Sequence, residues 1–308
     1  MSNSIELINS LSKQGIVIRE SNSDLGGNSK FYKFIFGGKQ LVLKVYLGDE
    51  FRIRNSRDRE HVAYQFLEQN HFLKLPKLIK EFDLNDGICL EYIEGVRPQN
   101  NSSTNRVILN SFSELHNIYH MNQCFDNATD ATYSTNEVLN QVEKRMDVFS
   151  KTLSEEFSAM ISVVRRLRTI KPFDFPDGSV TYSLSDVGPH NMIKSSKGYY
   201  FLDLEFFGRD SAVKMFLDYI LHPRNNASFR DRIETLDLAA ELFEIDLELV
   251  TKSIPFFAAK WATIVARRMT LDSPAQSLRD LKKRFEHFVT ISLMSDSDEI
   301  RDKVLMSR

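Results

Sequence analysis

Residues 182–208 read YSLSDVGPHNMIKSSKGYYFLDLEFFG and carry three oxygen-bearing side chains at the ends of two predicted strands. Asp186 follows a β-prone run and lies in a segment that a Gly-Pro pair keeps from becoming helical. Asn191 begins the next strand, the letters SSKG form a turn, and Asp203 lies within the predicted return strand. The hairpin therefore predicts that Asn191 and Asp203 approach each other, with Asp186 nearby.

These three side chains favour a divalent metal and a proton acceptor at one site. Mg²⁺ prefers oxygen ligands and keeps waters and phosphates in its remaining positions, so an Asn and an Asp brought together suit it. Asp186, five residues before the Asn, can then accept a proton from a substrate hydroxyl. Each aspartate alone is also typical of a turn or a cap, but the three together at this spacing favour the catalytic interpretation.

The composition indicates an ordinary folded protein. The chain has 308 residues, 42% of them hydrophobic and 27% charged, which predicts about two domains or lobes. A formal net charge of −2 without a basic block gives no indication of a dedicated nucleic-acid binder. Cys89 and Cys124 have no partner spacing, so we expect a reducing cytoplasm. The sequence does not decide the oligomeric state.

No segment is typical of a signal peptide or a transmembrane helix. The N-terminal letters MSNSIELINSLSK lack a charged region followed by an apolar run. The most apolar C-terminal stretch, IPFFAAKWATIVARRM, is interrupted by Lys260 and Arg267. We therefore expect a cytoplasmic protein that binds neither membranes nor nucleic acids.

The first ninety residues predict an antiparallel sheet with one helix. Two strand-like runs flank Gly37-Gly38 in FYKFIFGGKQLVLKVYLG, and an earlier glycine turn, DLGGN, follows the run IVIRE. A helical pattern covers RDREHVAYQFLEQN. The letters KLIKEFDLNDGICLEYIEG indicate a further hairpin, which turns at residues 85–87.

From Gly95 onward the sequence is predominantly helical. A polar linker, RPQNNSST, precedes helices on either side of the loop NQCFDNATDATYSTN. After the hairpin, helices run from Ser211 to the end, with interruptions near Pro223, Pro255 and Pro274.

Together these elements predict an α+β protein with two lobes. A small β-rich lobe covers residues 1–94, a hinge lies at about 91–98, and a larger helical lobe with the inserted hairpin covers residues 95–308.

Lys44 and Glu60 are candidate partners in the first lobe. The strand QLVLKVY alternates, and the plainer interpretation of Lys44 is a lysine on a solvated strand face. Glu60 lies on a partly apolar helical stripe and is expected to point inward, where a carboxylate is costly unless it is paired. Lys44, on the preceding strand, is the candidate partner; the alternative for Glu60 is a favourable position in the helix dipole.

The motif DxxxxN, followed by a hairpin and a hydrophobic-Asp-hydrophobic triplet, resembles the catalytic and metal-binding segments of protein-kinase-like phosphotransferases. The resemblance is closest to the aminoglycoside phosphotransferase and choline kinase type. That family's pattern is approximately HGDxxxxN, a hairpin, IDxE and then GDPxxDLA, where this chain reads LSDVGPHN, FLDLE and GRDSAVKMFLD. The earlier pieces SDLGGNSKFYKF, LVLK, REHVAYQFL and ICLEYIEGVRP also follow in the family's order, so the match covers most of residues 15–222.

The resemblance implies a protein-kinase-like fold and a role for each matching residue. Lys44 would contact the α- and β-phosphates of ATP or GTP and would be held by Glu60. Asp186 would be the catalytic base, and Asn191 and Asp203 would bind Mg²⁺.

The resemblance also implies that the glycine turn and the hinge contact the nucleotide. Backbone N–H groups of the turn would lie over the phosphates, although a plain hairpin turn is the alternative. Adenine would bind backbone groups at the hinge. The residues concerned are Gly26, Gly27, Asn28 and Ser29 in the turn, and Glu91 and Ile93 at the hinge.

Four further residues are candidates for supporting roles. The resemblance matches Asp218 with a helix aspartate that braces the catalytic loop, and Glu205 with a residue that assists the metal. His190 either contacts substrate or packs the loop. Trp261 belongs to an aromatic set spaced like a helical core, and stacking on substrate is its alternative role.

The chain departs from the family pattern beside the catalytic aspartate. The family's His-Gly pair is Leu184-Ser185 here, and the GDP step is Gly208-Arg209-Asp210, where Asp210 can cap the next helix. An inactive nucleotide-binding pseudokinase is therefore one alternative. A protein kinase is another, but the chain lacks the APE signature and the room for an activation segment between Asp203 and Asp218.

The prediction is thus an ATP-dependent, Mg²⁺-requiring kinase of a small hydroxylated metabolite, which would be its partner together with the nucleotide. The acceptor stays open among a sugar, an amino sugar, an amino alcohol and an aminoglycoside. A polycationic aminoglycoside would need many carboxylates in the second half of the chain. The acidic candidates there are Asp231, Glu234, Asp237, Glu241, Glu244 and Asp246.

Overall fold

The structure is a computed structural model of the 308-residue chain. The described residues are 3–14, 16, 18–21, 29–72, 74–82, 84–225, 228–270, 275–294, 299–300 and 304. The chain forms two compact units, the first from Met1–Pro98 with Pro189–Gly208 and the second from Gln99–Gly188 with Arg209–Arg308. The first unit therefore includes the hairpin segment that the sequence predicts within the C-terminal lobe.

The described elements confirm the predicted α+β class. The strands are β1 (Arg19–Ser21), β2 (Ser29–Phe36), β3 (Lys39–Tyr46), β4 (Gly87–Glu91), β5 (Val180–Ser183), β6 (Met192–Ser195), β7 (Gly198–Phe201) and β8 (Gly208–Ser211). The helices are α1 (Asn3–Lys13), α2 (Glu50–Gln69), α3 (Ser102–Met121), α4 (Thr135–Phe149), α5 (Ser154–Leu167), α6 (Ala212–Leu221), α7 (Phe229–Phe243), α8 (Leu247–Met269) and α9 (Ala275–Leu293). Among these helices, none combines the length and the apolar character that crossing a bilayer requires.

The first unit contains a four-stranded antiparallel sheet in the order β1-β2-β3-β4. Gly37 and Gly38 close the predicted β2–β3 hairpin with φ of +56° and +76°, a left-handed conformation that glycine adopts without strain. Leu43 and Cys89 belong to a buried apolar cluster that also includes Leu11 of α1. Helix α1 is not among the predicted elements.

Two details predicted for the first unit are wrong. Residues 77–80 do not form the first arm of a hairpin, because they contribute only the isolated bridge between Leu78 and Leu90. Strand β7 ends at Phe201, so Asp203 lies beyond the return strand and not within it. Its φ of 65° is incompatible with extended strand geometry and ends the pairing.

The second unit is mainly helical, and its longest described helix, α8, is largely buried. The predicted interruption at Pro255 is wrong, since α8 continues through it. Proline in a helix removes one backbone hydrogen bond at a cost of about 3 kcal/mol. Burial of Phe256, Phe257 and Trp261 offsets that cost by packing the helix tightly into the unit. Helix α6 does end before Pro223, as predicted, whereas Pro274 lies outside the described residues.

Gly95 is required where the chain passes close to strand β6. A Cβ atom at Gly95 would lie 2.4 Å from the carbonyl oxygen of Lys194 and 2.6 Å from Cγ2 of Ile193. The backbone of Val96 exchanges two hydrogen bonds with Lys194, at 3.0 and 2.8 Å, and this pairing fixes the close approach.

We therefore expect Gly95→Ala to lower the free energy of unfolding by about 1–3 kcal/mol, the usual cost of overpacking. Urea denaturation measures this change. Gly178→Ala is the matched control, because a Cβ at Gly178 would meet nothing within 4 Å. Equal stability of the two variants would show that the hairpin moves freely away from residue 95.

Candidate active site

Lys44 lies at the centre of a buried charged cluster in the first unit. Its Nζ is 2.5 Å from Oε2 of Glu60 and 2.6 Å from Oδ1 of Asp203. The side chain of Lys44 is only 3% exposed, so the interpretation as a lysine on a solvated strand face is wrong. The predicted pairing of Lys44 with Glu60 is confirmed.

Glu60 is held by groups from strand β3 and from the segment that follows β7. The Tyr46 hydroxyl of β3 donates to Oε2 at 2.5 Å, and the backbone N–H of Leu204 donates to Oε1 at 3.2 Å. Glu60 itself comes from α2 and is fully buried. Its carboxylate therefore ties helix α2 and strand β3 to the segment that carries Asp203.

The hairpin places the backbones of residues 191 and 202 opposite each other. Met192 pairs with Phe201 in the β6–β7 ladder, and the Leu202 N–H donates to the Asn191 carbonyl oxygen at 2.8 Å. Asn191 ends a 3₁₀ turn and is half-buried. Asp203, the residue after Leu202, has a positive φ. This conformation is uncommon outside glycine and is often found at functional sites.

Negative charge exceeds positive charge around Lys44. Glu60, Asp203 and Glu205 all act on its ammonium group. Burial raises the pKa values of Glu60 and Glu205, and the neighbouring Asp203 raises both further while Lys44 opposes the change. Burial alone would lower the pKa of Lys44, but the carboxylates outweigh burial and raise it. Lys44 is therefore charged at neutral pH.

This excess of carboxylate oxygens fits a divalent cation of the Mg²⁺ type, which prefers oxygen ligands. Asp203 is one-third exposed, so its carboxylate is accessible, and Glu205 is buried beside it. We refer to Lys44, Glu60, Asp203 and Glu205 as the lysine–carboxylate cluster.

Asp186 follows a tight turn in the second unit. Its N–H donates to the carbonyl oxygen of Leu184 at 2.8 Å, which closes a three-residue turn. The central residue, Ser185, has a φ of 62°, and its N–H donates to Oγ of Ser183 at 3.0 Å. A γ-turn of this kind with a positive φ is rare and strained. Ser185 thus adopts a conformation that glycine would adopt more readily.

His222 lies against Asp186, a contact that sequence reasoning missed. Nε2 of His222 is 3.2 Å from Oδ1 of Asp186, and the Asp186 side chain is 36% exposed. The residues are far apart in sequence, and the only available signal was the His-Pro pair that ends α6. We refer to these two residues as the Asp186–His222 pair.

Asp218, which the resemblance matches with a structural helix aspartate, belongs to a buried ion-pair network. Both of its carboxylate oxygens lie within 2.9 Å of Nζ of Lys260, and Lys214 bonds to Asp210 and lies 3.4 Å from Asp218. Although burial opposes it, the two lysines hold the pKa of Asp218 below its usual value. Burial lowers the pKa of Lys260 to about 8; the Asp218 carboxylate opposes this shift, and the like charge of Lys214 adds to it.

Asp210 belongs to the same network and does not have the helix-capping role predicted for it. Asp210 does not cap α6, because Ser211 is the N-cap residue and its Oγ accepts the Lys214 N–H. Asp210 instead accepts the N–H groups of Thr132 and Ser211. The spacing of four residues between Asp210, Lys214 and Asp218 was the sequence signal for this network.

Of the residues predicted to contact the nucleotide in the glycine turn and at the hinge, only some belong to the part of the chain that the structure describes. Gly26, Gly27 and Asn28 lie outside the described residues, and Ser29 is the first residue of β2. The Glu91 N–H already donates to the Lys77 carbonyl oxygen at 2.9 Å, so this amide is not available to adenine.

Three more predicted residues fall at defined positions within their units. Ile93 is buried just after β4. His190 is the middle residue of the 3₁₀ turn Pro189–Asn191. Trp261 is 8% exposed, and its ring lies edge to face against His222 with centroids 4.8 Å apart. Its place in the helical core is confirmed.

Comparison with solved structures identifies the fold. The choline kinase of Streptococcus pneumoniae has a TM-score of 0.63 and 13% identity, with 94% of this chain and 99% of that chain covered. The choline kinase of Cryptosporidium parvum has a TM-score of 0.66 and 11% identity, with 99% and 98% covered. A spectinomycin phosphotransferase solved with ADP and spectinomycin has a TM-score of 0.57 and 12% identity, with 97% and 98% covered.

These matches confirm the protein-kinase-like fold that the motifs predicted. The sequence matches no protein-family model and no curated protein. At 11–13% identity the similarity to the three structures establishes the fold, and the chemistry must be argued from the residues.

Proposed function

We propose that this chain, which has the fold of the choline kinases and aminoglycoside phosphotransferases, transfers the γ-phosphoryl group of ATP or GTP to a hydroxyl of a small metabolite. The observation that carries the proposal is the burial of Lys44 between Glu60 and Asp203. A buried cluster with excess carboxylate is costly for stability alone, so a function that uses it is the better explanation.

In this proposal Lys44 holds the phosphates. An ammonium group has three donors, and the contacts with Glu60 and Asp203 use two of them. The third can donate to an oxygen of the α- or β-phosphate. Because Glu60 is itself held by Tyr46 and Leu204, the lysine is oriented before the nucleotide binds.

Asn191 and Asp203 would hold Mg²⁺, with Glu205 in support. When bound, the cation would neutralise phosphate charge. The proposed role of Asp203 therefore combines two contacts, one with Lys44 and one with the metal. The neighbouring carboxylates strengthen the local negative potential that attracts the cation.

Asp186 would orient the acceptor hydroxyl and receive its proton. As the hydroxyl oxygen forms a bond to the γ-phosphorus, the bond from that phosphorus to the β–γ bridging oxygen breaks and the nucleoside diphosphate leaves. The hydroxyl proton passes to the Asp186 carboxylate and later to water. Catalysis of this kind depends on positioning and charge stabilisation, not on covalent chemistry of the protein.

Helix caps limit the acceptor classes. Three of the six acidic residues proposed to match a polycation have local structural roles. Asp231 forms a capping box with Ser228, Glu244 is the C-cap residue of α7 with a φ of 51°, and Asp246 is the N-cap residue of α8. Since the carboxylates of Asp231 and Asp246 are used in helix capping, we favour an amino alcohol, a sugar or an amino sugar over a polycationic aminoglycoside.

The proposal is tested by incubating the protein with Mg²⁺·ATP and a panel of acceptors, namely choline, ethanolamine, glucose, glucosamine and spectinomycin. We expect ADP release together with a phosphorylated product, detected by ³¹P NMR and mass spectrometry. Nucleotide binding without product for any acceptor would favour the pseudokinase alternative. Transfer to a protein substrate alone would favour a protein kinase.

Mg²⁺ should stabilise the protein more at pH 7.5 than at pH 5. Carboxyl groups whose pKa is raised in the folded state, as for Glu60 and Glu205, keep protons that compete with the cation at acidic pH. Without metal they make the folded state lose stability as pH rises through their raised pKa values, and bound Mg²⁺ offsets that loss.

Differential scanning fluorimetry with and without Mg²⁺ at both pH values measures this effect. Glu205→Gln removes one of the two carboxyl groups whose pKa is raised. The variant should therefore show a smaller difference between the Mg²⁺-induced Tm shifts at the two pH values. A Tm shift by Mg²⁺ that is independent of pH would exclude these carboxylates as the metal's neighbours.

A further inference from the structure

We infer that His222 is a positioning residue that orients Asp186 by donating a hydrogen bond from Nε2 to Oδ1. This inference deepens the proposed function and rests on it, since Asp186 is the proposed proton acceptor. It follows from four local contacts of the second unit, which concern the backbone beyond α6, the two ring nitrogens and the indole of Trp261.

The chain after α6 directs His222 toward Asp186. His222 precedes Pro223, and a residue before proline is disfavoured in helical conformation. His222 accordingly has a ψ of 126° and is the C-cap residue of α6. His222 thus lies where the helix ends, and its Nε2 is 3.2 Å from Oδ1 of Asp186.

The backbone of Arg224 selects the tautomer of His222. Its N–H lies 3.1 Å from Nδ1, and a backbone N–H can only donate. Nδ1 must therefore accept and carry no proton. In the neutral imidazole the proton is then on Nε2, the nitrogen that faces the Asp186 carboxylate. One backbone hydrogen bond thus makes His222 a donor toward Asp186.

Trp261 restricts the remaining freedom of the ring. Its indole lies nearly perpendicular to the imidazole, at 85°, with centroids 4.8 Å apart. The indole is in turn held by α8 and stacks on Phe288 of α9 at 25° and 6.5 Å. With both nitrogens bonded and one edge packed, the imidazole has little freedom to rotate.

The consequence for Asp186 concerns orientation and charge. A neutral donor fixes one carboxylate oxygen without supplying a proton or a full positive charge, so Asp186 remains a proton acceptor. We assign Oδ1 of Asp186 to the hydrogen bond with His222. Leu184, two residues before Asp186, is buried and has no polar side-chain group with which to provide such a contact.

Two substitutions separate orientation from packing. His222→Leu removes the donor, whereas His222→Gln places an amide N–H at a similar distance along the side chain. A hydrogen bond to a charged group contributes about 1.5–3 kcal/mol, so His222→Leu should lower kcat about 10–150-fold. KM for ATP should change less than about twofold, and His222→Gln should retain kcat to within about fivefold.

The kinetic test uses the acceptor with the highest turnover in the panel above. Full activity of His222→Leu would overturn the inference, and so would equal losses in the leucine and glutamine variants. The loss expected for leucine with rescue by glutamine is a result that a purely structural role would not give.

A second measurement does not depend on turnover. ¹⁵N NMR of the wild-type protein should show His222 with Nδ1 unprotonated and Nε2 protonated at neutral pH. Its signals among the seven histidines are assigned by their loss in His222→Gln. The opposite tautomer would overturn the inference even if His222→Leu does not fold. Absence of phosphoryl transfer with the expected tautomer would instead contradict the proposed function alone.

Discussion

Replacing Asp186 by asparagine is expected to lower kcat about 10²–10⁴-fold, the usual contribution of a positioned general base. Asparagine has nearly the same shape as aspartate and can still accept a hydrogen bond from His222 at Oδ1. The γ-turn through Ser185 is made by backbone groups and does not depend on the Asp186 side chain. The substitution therefore removes the proposed proton acceptor and should preserve the local structure.

Steady-state kinetics with the best acceptor of the panel measures this change. KM for ATP should stay within about twofold, because the proposed phosphate contacts are those of the lysine–carboxylate cluster. Asp177→Asn is the matched control, since Asp177 is an exposed aspartate of the same unit. An Asp186→Asn enzyme with the wild-type kcat would assign the proton to another acceptor.

Replacing Lys44 by methionine is expected to abolish phosphoryl transfer and to destabilise the first unit. Methionine fills a similar volume but leaves the carboxylates of Glu60 and Asp203 without their ammonium partner. Removing one partner of a buried ion pair costs about 3–5 kcal/mol because the remaining charge is left unpaired. From the sequence alone we expect Lys44→Ala to leave the fold intact; the 3% exposure of Lys44 changes that expectation.

The double variant Lys44→Met/Glu60→Gln separates the two effects. The amide oxygen of glutamine can still accept from the Leu204 N–H, and its NH2 group can donate to the Tyr46 hydroxyl oxygen. The buried unpaired charge of residue 60 is removed, so most of the lost stability should return. Activity should not return, since the proposed phosphate ligand is still missing.

Lys30→Met is the matched control for this series. Its ion pair with Glu20 is half exposed, and such pairs contribute about 0–1 kcal/mol. Urea denaturation and ADP release measure stability and activity of all variants in parallel. If Lys44→Met were as stable as Lys30→Met, loss of the Lys44 ammonium group would not leave a costly unpaired charge on Glu60 and Asp203.

Turn residues, helical periodicity and motif spacing were sufficient to predict several features from the sequence. The glycine pair at 37–38 predicted the β2–β3 hairpin because it permits positive φ. The helical stripe of Glu60 predicted an inward carboxylate, and the cost of burying it predicted the pairing with Lys44. The order and spacing of the motifs also predicted the protein-kinase-like fold, which the solved structures confirm.

Other features depend on contacts between distant segments. Asp203 was expected within an extended strand, but it leaves β7 with a positive φ and bonds to Lys44. Pro255 was expected to end a helix, but burial on all sides of α8 outweighs the lost hydrogen bond. Both differences have the same origin, since local propensities of about 1–3 kcal/mol are smaller than the energy of a packed core.

The sequence by itself determined the fold class and the hairpins β2–β3 and β6–β7, because periodicity, turn residues and motif spacing act over short distances along the chain. Only the tertiary structure decided that His222 meets Asp186, since the two residues are 36 positions apart and the His-Pro pair that ends α6 does not specify which side chain the imidazole contacts. The same holds for the charge balance around Lys44. Burial and proximity set the pKa values of Glu60 and Glu205, and these properties exist only once distant residues are packed together.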